Sequence, residues 1–260
     1  MMTVNDDEML HGHQSARRDA PFKALRKYYY GRILSRDYKL SALQEHQFLR
    51  YTIKINTHMT PLSPTANTLI PCAYSAHSLD QKVKNKVALQ KDLKWPGETK
   101  RPMACLPAGM TEELGGELLK SVIPGLLTLP MEIIILGKGS SAYGKLLTGL
   151  AAEHRHRIAI IDNTKEDIQR MYAAADMALF FSQTGAAAEL AECLRFGVVP
   201  VAPRMKGLEP YDAVQESGCS FLYDQPTPWH CFAAIVRALE TFQFPFDWRT
   251  IQKHCMESVQ

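Results

Sequence analysis

The chain has 260 residues, 46% of them hydrophobic and 22% charged, a composition that supports a large buried core and excludes a predominantly disordered protein. Its 30 lysines and arginines barely exceed its 27 aspartates and glutamates, so the net charge of +3 gives no indication of nucleic-acid binding. The longest apolar runs, such as 133–137 and 177–181, are far shorter than a membrane span, and no secretory signal opens the chain. We therefore expect a soluble cytoplasmic protein with neither a membrane nor a nucleic acid as partner.

Common metal and nucleophile motifs are missing from the sequence. The cysteines are spaced singly, without the CxxC pairs of zinc or redox sites, and they predict reduced thiols; they stand at positions 72, 105, 193, 219, 231 and 255. His154 and His156 have no further ligand at metal-binding spacing. There is no GxSxG nucleophile elbow and no P-loop. We predict no metal and no cofactor.

Residues 1–53 differ in composition from the rest of the chain. An acidic tip is followed by a segment rich in cations and aromatics, including Tyr28, Tyr29 and Tyr30. Interleaved cations and aromatics suit an RNA-contacting arm. More often such a segment is a helix with its cations in solvent and its apolar face on a neighbour, and we interpret it as a partly helical N-terminal extension.

A helix is predicted after the proline-rich loop 61–71. Ser78 with Gln81 has the spacing of a capping box. Val83, Val87 and Leu93 form an apolar stripe at helical spacing, which predicts that this side of the helix faces the core.

Beyond this helix, short apolar runs alternate with helix-length segments. The predicted strands are 103–106, 132–136, 157–161, 177–181, 198–201 and 221–223. The predicted helices are 111–123, 141–153, 164–175 and 186–196, followed by one that Thr227 and Pro228 open. This alternation predicts an α/β fold with a Rossmann-like, doubly wound parallel sheet. Ligands of such folds bind at the carboxyl ends of the strands, so the loops 107–111, 137–141, 162–164, 182–186 and 202–210 are the candidate site.

Five segments in order resemble one enzyme family. They are LIPCAYSAHSLDQKVKNKVALQKDL (69–93), EIIILGKGS (132–140), MYAAADMALFFS (171–182), ECLRFGVVPVAPRMKGL (192–208) and GCSFLYDQPTPW (218–229). This part of the chain resembles the C-terminal half of bacterial glycogen synthases and plant starch synthases, which are GT-B glycosyltransferases. The resemblance implies a GT-B C-terminal-type domain over 54–260 and a family reaction that moves glucose from ADP-glucose to an α-1,4-glucan.

The residues that perform this chemistry in the family are missing at the matching positions. The loop AGMTEELG (108–115) has Gly109 at the position of the family's arginine and Leu114 at that of its lysine, the two cations that hold the diphosphate leaving group. Gly185, or a one-residue gap, falls at the position of a glutamate near the sugar donor. Lys100 and Arg101 precede the first strand, and we expect them at its opposite end.

Other positions retain part of the family's nucleotide-sugar pattern. They are Thr184, Gly185, Ala186, Glu192, Gly137, Lys206 and Gly207. The resemblance gives Glu192 the position of a ribose contact, with a helix-surface residue as the alternative. We expect Glu189, on the same helix, to face solvent. Lys206 suits either a phosphate contact or a solvated loop, and Gly137 either a ligand turn or simple strand-to-helix geometry.

Three functions remain open from the sequence. The first is a degenerate homologue, inactive alone, that binds ADP or ADP-glucose weakly if at all. The second is half of a two-chain transferase, whose partner protein supplies the N-terminal GT-B half that we expect this chain to lack. The third is a non-catalytic α-glucan- or protein-binding module. Trp95, Trp229 and Trp248 are the candidate sugar platforms, although all three fit packing at helix ends.

Overall fold

A six-stranded sheet forms the centre of the computed structural model, which describes residues 62–259. The strands are Met103–Leu106 (β1), Glu132–Leu136 (β2), Ile158–Ile161 (β3), Met177–Leu179 (β4), Val199–Pro203 (β5) and Phe221–Tyr223 (β6). Their order in the sheet is β3-β2-β1-β4-β5-β6, and every neighbouring pair is parallel. The Rossmann-like α/β fold predicted from the alternation is confirmed.

Helices connect the strands and cover both faces of the sheet. They are Lys82–Asp92 (α1), Gly116–Leu126 (α2), Ser141–Glu153 (α3), Lys165–Ala174 (α4), Ala187–Arg195 (α5), Pro228–Phe242 (α6) and Pro245–Glu257 (α7). Every residue of β1, β2, β4, β5 and β6 is buried, which explains why these strands are continuous apolar runs rather than alternating patterns. Among residues 62–259, no helix is both long and apolar enough to cross a membrane. The predicted N-terminal extension lies outside the described residues.

The buried face of α1 is mostly polar, and the predicted apolar stripe is at most half-buried. Val83 is exposed, whereas Lys82 and Lys86 are among the buried residues of the helix. Lys82 Nζ donates to the Tyr74 hydroxyl and to two carbonyls at the end of α4, and Lys86 Nζ pairs with Asp176 at 2.7 Å. The lysines are buried because partners on other elements satisfy them, and an apolar stripe read from α1 alone does not show this.

Two predicted helix starts needed correction. Ser78 makes no capping bond, because its hydroxyl accepts from the Ser75 amide and the first turn, Leu79–Gln81, is a 3-10 helix. α2 begins at Gly116 rather than at 111, because Gly115 adopts a left-handed conformation and interrupts the turn that Thr111 opens. The caps predicted at Thr164 and Thr227 are confirmed by bonds from the Asp167 and His230 amides.

The last helix, α7, was not predicted. Trp248, Ile251, Gln252, Cys255 and Met256 are its buried residues. Their spacing of three and one is that of an amphipathic helix, so the signal was present in the sequence. Helix α7 packs against α5 and α6 and encloses one end of the core.

Candidate functional site

The loops after β1 and β2 meet at the carboxyl edge of the sheet. The Met110 amide donates to the Lys138 carbonyl at 3.3 Å, and the Ser140 amide donates to the Met110 carbonyl at 3.0 Å. Parallel strands bring their following loops to one edge, so this contact lies where ligands of Rossmann-like domains bind. The two loops therefore form one side of the candidate site.

Two glycines make this close approach possible. Gly109 and Gly139 have positive φ angles of 64° and 122°. A Cβ on Gly109 would lie 2.1 Å from the Lys138 carbonyl oxygen, and one on Gly139 would lie 2.1 Å from the Met110 carbonyl oxygen. Gly109, to which the resemblance assigns the family's arginine position, thus has a structural reason here, since no side chain fits there while the loops touch.

A small cavity lies between the loops after β1 and β4, and no charged side chain lines it. It is lined by Ala108, Gly109, Met110, Leu114, Leu179, Phe180, Phe181, Ser182 and Ala186. This cavity has a volume of only about 10 Å³, which is roughly the requirement of a single water. Leu114, at the position of the family's lysine, packs against the core, and a Cβ on Gly185 would lie 3.0 Å from its Cδ2 atom.

An ion pair that the sequence did not predict crosses this edge. Lys138 Nζ lies 2.6 Å from Glu189 Oε1, and both side chains are partly buried. Glu189 is the third residue of α5, so its carboxylate complements the positive end of that helix. The expectation that Glu189 faces solvent was wrong, because a lysine 51 residues earlier along the chain reaches it.

Comparison with known proteins identifies relatives of the chain, although no family model matches it. Glycogen synthase 1 of Synechocystis sp. is 29% identical over 205 residues, which cover 75% of this chain and 43% of that protein. Glycogen synthases of Gloeobacter violaceus and Caldicellulosiruptor bescii are 28% and 30% identical, over 76% and 75% of this chain and 44% and 42% of theirs. The chain is homologous to the C-terminal domain of the glycogen synthases. It spans less than half the length of these relatives.

Solved structures agree with this homology at the level of the fold. The catalytic domain of starch synthase IV from Arabidopsis thaliana, bound to ADP and acarbose, superimposes with a TM-score of 0.67 at 17% identity, over 81% of this chain and 50% of that one. Sucrose-phosphate synthase from Thermosynechococcus elongatus gives 0.50 at 19% identity, over 84% and 56%. This glycogen synthase homologue therefore has the Rossmann-like fold of GT-B glycosyltransferases.

Glu192 of this homologue is largely buried on α5. Its Oε1 atom accepts from Arg195 Nη1 at 2.6 Å, whereas Oε2 has no hydrogen-bond partner among the described residues. Burial raises the pKa of this carboxyl group, and the neighbouring guanidinium partly offsets that effect. Glu192 is therefore not a solvated helix-surface residue, and its unpaired oxygen is buried.

The remaining predicted residues lie along the same edge with different exposures. Thr184 and Gly185 are exposed in the loop before α5, and Ala186 is buried as the residue preceding that helix. The Gly137 amide donates to the Ile161 carbonyl at 2.8 Å, and a Cβ on Gly137 would lie 2.9 Å from that oxygen. Tight contact with the end of β3 thus explains Gly137 without a ligand.

The loop after β5 and the start of α6 provide exposed groups. Lys206 and Gly207 are exposed after β5, at the carboxyl edge. Trp229, in the first turn of α6 after β6, is 76% exposed, so the expectation that it packs at a helix end was wrong. Trp95 and Trp248 are buried, as helix-end packing predicts. Residues 62–259 contain no cluster of three or more His, Cys, Asp and Glu side chains placed to hold a metal.

Proposed function

We propose that this chain is a glycogen synthase-type glycosyltransferase domain that does not transfer glucose by itself. The observation that carries the proposal is that the cavity between the loops after β1 and β4 is lined without any charged side chain. Transfer from a nucleotide sugar requires groups that stabilise the charge developing on the departing diphosphate. Here Leu114 and the closely packed backbone at Gly109 occupy the region where the resemblance assigns the family's two cations.

The electrostatics of the edge support the same proposal. The ammonium group of Lys138 is already neutralised by Glu189 at 2.6 Å. The carboxylate of Glu189 also supplies negative charge in the first turn of α5, where a helix N-terminus would otherwise attract a phosphate. An incoming diphosphate would have to displace this ion pair and would meet a like charge.

The expected loss of transfer rate can be estimated from substitutions at comparable sites in other enzymes. Removing one group that stabilises developing charge typically lowers the rate by about 10²–10³. Because two cations and a carboxylate are missing at the family positions, we expect no measurable elongation. Of the two carboxylate oxygens of Glu192, one accepts from Arg195 and the other is buried, so neither is placed to accept from a ribose hydroxyl, and we expect ADP to bind weakly if at all.

Glucan elongation by the purified full-length chain tests this proposal. Radiolabelled ADP-glucose and a glycogen primer should give no incorporation above that of heat-treated protein, whereas a bacterial glycogen synthase assayed in parallel should be active. Incorporation by the isolated chain would contradict the proposal. A thermal-shift titration with ADP then separates two cases, because ligand at 100 times its Kd adds about 2.7 kcal/mol to the free energy of unfolding. A clear shift without elongation favours the two-chain transferase, whose missing half should then restore activity.

Trp229 supports a second candidate function, binding of an α-glucan without catalysis. An indole that is 76% exposed at the carboxyl edge offers an apolar face on which a sugar ring can pack. Trp229→Ala should weaken binding to glycogen by about tenfold. Phe246→Ala is the matched control, because Phe246 is 72% exposed on α7, at the opposite end of the sheet. Equal retention of both variants and the unchanged chain on a glycogen affinity gel would exclude this candidate.

A further inference from the structure

A second, much larger cavity opens at the opposite edge of the sheet. Thr99 and Lys100 precede β1 and Asp176 precedes β4, so these lining residues lie where the strands begin. The 3-10 turn and α1 contribute Leu79, Lys82, Val83 and Lys86, and the end of α4 contributes Ala174. The end of α6, the residue after it and α7 contribute Phe242, Gln243, Pro245, Trp248, Arg249 and Gln252. This cavity has a volume of about 340 Å³, compared with about 10 Å³ for the cavity at the carboxyl edge. It is large enough for a small organic molecule.

The lining of this cavity is strongly cationic. The lining contains four cationic side chains and one carboxylate. The cations are Lys82, Lys86, Lys100 and Arg249, and the carboxylate is Asp176. One oxygen of that carboxylate, Oδ2, already accepts from Lys86 Nζ at 2.7 Å and from the Met103 amide at 2.8 Å. Four cations and one anion leave three positive charges on the lining, so the cavity favours an anion.

Two residues that line the cavity have hydrogen-bonding capacity that the described residues leave unused. The Trp248 side chain is 4% exposed, and its Nε1 atom has no acceptor among the described residues. A buried donor without an acceptor costs free energy, which an oxygen atom of a ligand would recover. Lys86 Nζ bonds to two acceptors, Asp176 Oδ2 and the Thr99 carbonyl, and so uses two of its three hydrogens. Lys100 and Arg249 are exposed cations at the same cavity.

Aromatic side chains supply an apolar wall. Phe242 and Trp248 pack edge to face with ring centroids 5.2 Å apart, and both line the cavity. Leu79 and Val83 extend the apolar surface from the start of α1. A ligand that fits must therefore combine a charged head, matched to the cations, with a body that packs against aromatic rings.

We propose that this cavity binds a small organic phosphate. A phosphate monoester carries about two negative charges and three acceptor oxygens, which match the excess cations and the free donors better than the single charge of a carboxylate. Lys100, Arg249 and Lys86 hold the phosphate, the Trp248 indole N–H donates to one of its oxygens, and the organic part packs against Phe242. This site is separate from the candidate nucleotide-sugar site and does not depend on its state.

Calorimetric titration of the full-length chain with phenyl phosphate tests the proposal. Phenyl phosphate should bind more tightly than inorganic phosphate, which lacks the apolar body, and more tightly than benzoate, which has one charge. Its affinity should fall as salt is added, because the exposed cations are screened. Absence of binding at millimolar phenyl phosphate and low ionic strength would overturn the proposal.

Variants locate the binding. Lys100→Gln and Arg249→Gln should each weaken phenyl phosphate binding about tenfold or more, while the unfolding temperature of the free chain stays the same, because both side chains are exposed. Lys253→Gln is the matched control on α7, since Lys253 pairs with Glu257 and does not line the cavity. Trp248→Phe keeps an aromatic ring at this position but removes the indole N–H donor, and it should also weaken binding. If phenyl phosphate bound equally to Lys100→Gln, Arg249→Gln and the unchanged chain, the cavity would not be its site.

Discussion

Single buried charges in this protein are controlled by partners on distant elements. Glu132 begins β2 with no exposed surface, and both of its carboxylate oxygens accept from Gln90 Nε2 on α1, at 3.1 and 2.8 Å. Burial raises the pKa of Glu132 to about 7, although the Gln90 hydrogen bond and the charges of Lys86 and Arg101 act in the opposite direction. Desolvation of the charged form is therefore the larger effect at this residue.

The raised pKa of Glu132 predicts how stability depends on pH. Between about pH 4.5 and 7 the folded protein binds the Glu132 proton more tightly than the unfolded chain does. The free energy of unfolding should therefore decrease as pH rises through that window, by up to about 1.4 kcal/mol per pH unit, and this contribution should level off as pH rises beyond the pKa of the folded state. Urea unfolding at several pH values should show that Glu132→Gln removes this decrease.

Glu153→Gln is the control, because Glu153 is exposed at the end of α3 and the substitution makes the same change from a carboxyl group to an amide. If both variants had the same pH dependence as the unchanged chain, Glu132 would not be the group responsible. A steeper decrease in Glu132→Gln would also contradict the assignment.

At the scale of the elements, the sequence predicted whatever depends on local pattern. All six strands were predicted within two residues at each end, because buried parallel strands are continuous apolar runs. The stripe of α7 was equally visible and was overlooked. The polar face of α1 could not be predicted locally, because Lys86 is satisfied by Asp176, 90 residues later along the chain.

The same distinction holds for the candidate site. The absence of cations at Gly109 and Leu114 is an expectation that the resemblance to the family supplies from the sequence alone. The contacts that the structure makes at this edge cannot be predicted from the sequence, because they join residues that lie far apart along the chain. The ion pair Lys138–Glu189 joins two loops through the fold, and the contact of Gly109 with the Lys138 carbonyl requires knowing that these loops meet.

At the scale of the whole molecule, β1 and β4 occupy the point where the strand order reverses. In doubly wound sheets the crevice at this point is the usual ligand site, at the carboxyl ends of the strands. In this chain that end is packed with apolar side chains. The amino end of the same two strands instead contributes Asp176 and the segment before β1 to the larger cavity. Of these two cavities, the larger therefore lies at the amino edge of the sheet.

Asp176 holds the amino end of this junction together, and its removal should be costly. The carboxylate accepts from the Met103 amide at the start of β1 and from Lys86 of α1, whose side chain is only 2% exposed. Asp176→Ala leaves a buried ammonium without its counter-ion, which typically costs about 3–5 kcal/mol. Urea unfolding at pH 7 should show this loss in the free energy of unfolding.

Asp92→Ala is the matched control for that measurement, since Asp92 pairs with Arg170 on the surface. Exposed ion pairs contribute about 0–1 kcal/mol, so the control should be nearly neutral. Equal, small losses in the two variants would show that water reaches Lys86 and replaces its counter-ion. If Asp176→Ala loses much of the free energy of unfolding and Asp176→Asn loses little, the stabilising contribution of Asp176 comes from the Met103 hydrogen bond. A large loss in both Asp176 variants assigns it to the charge, because asparagine can still accept from the Met103 amide but cannot neutralise the buried lysine.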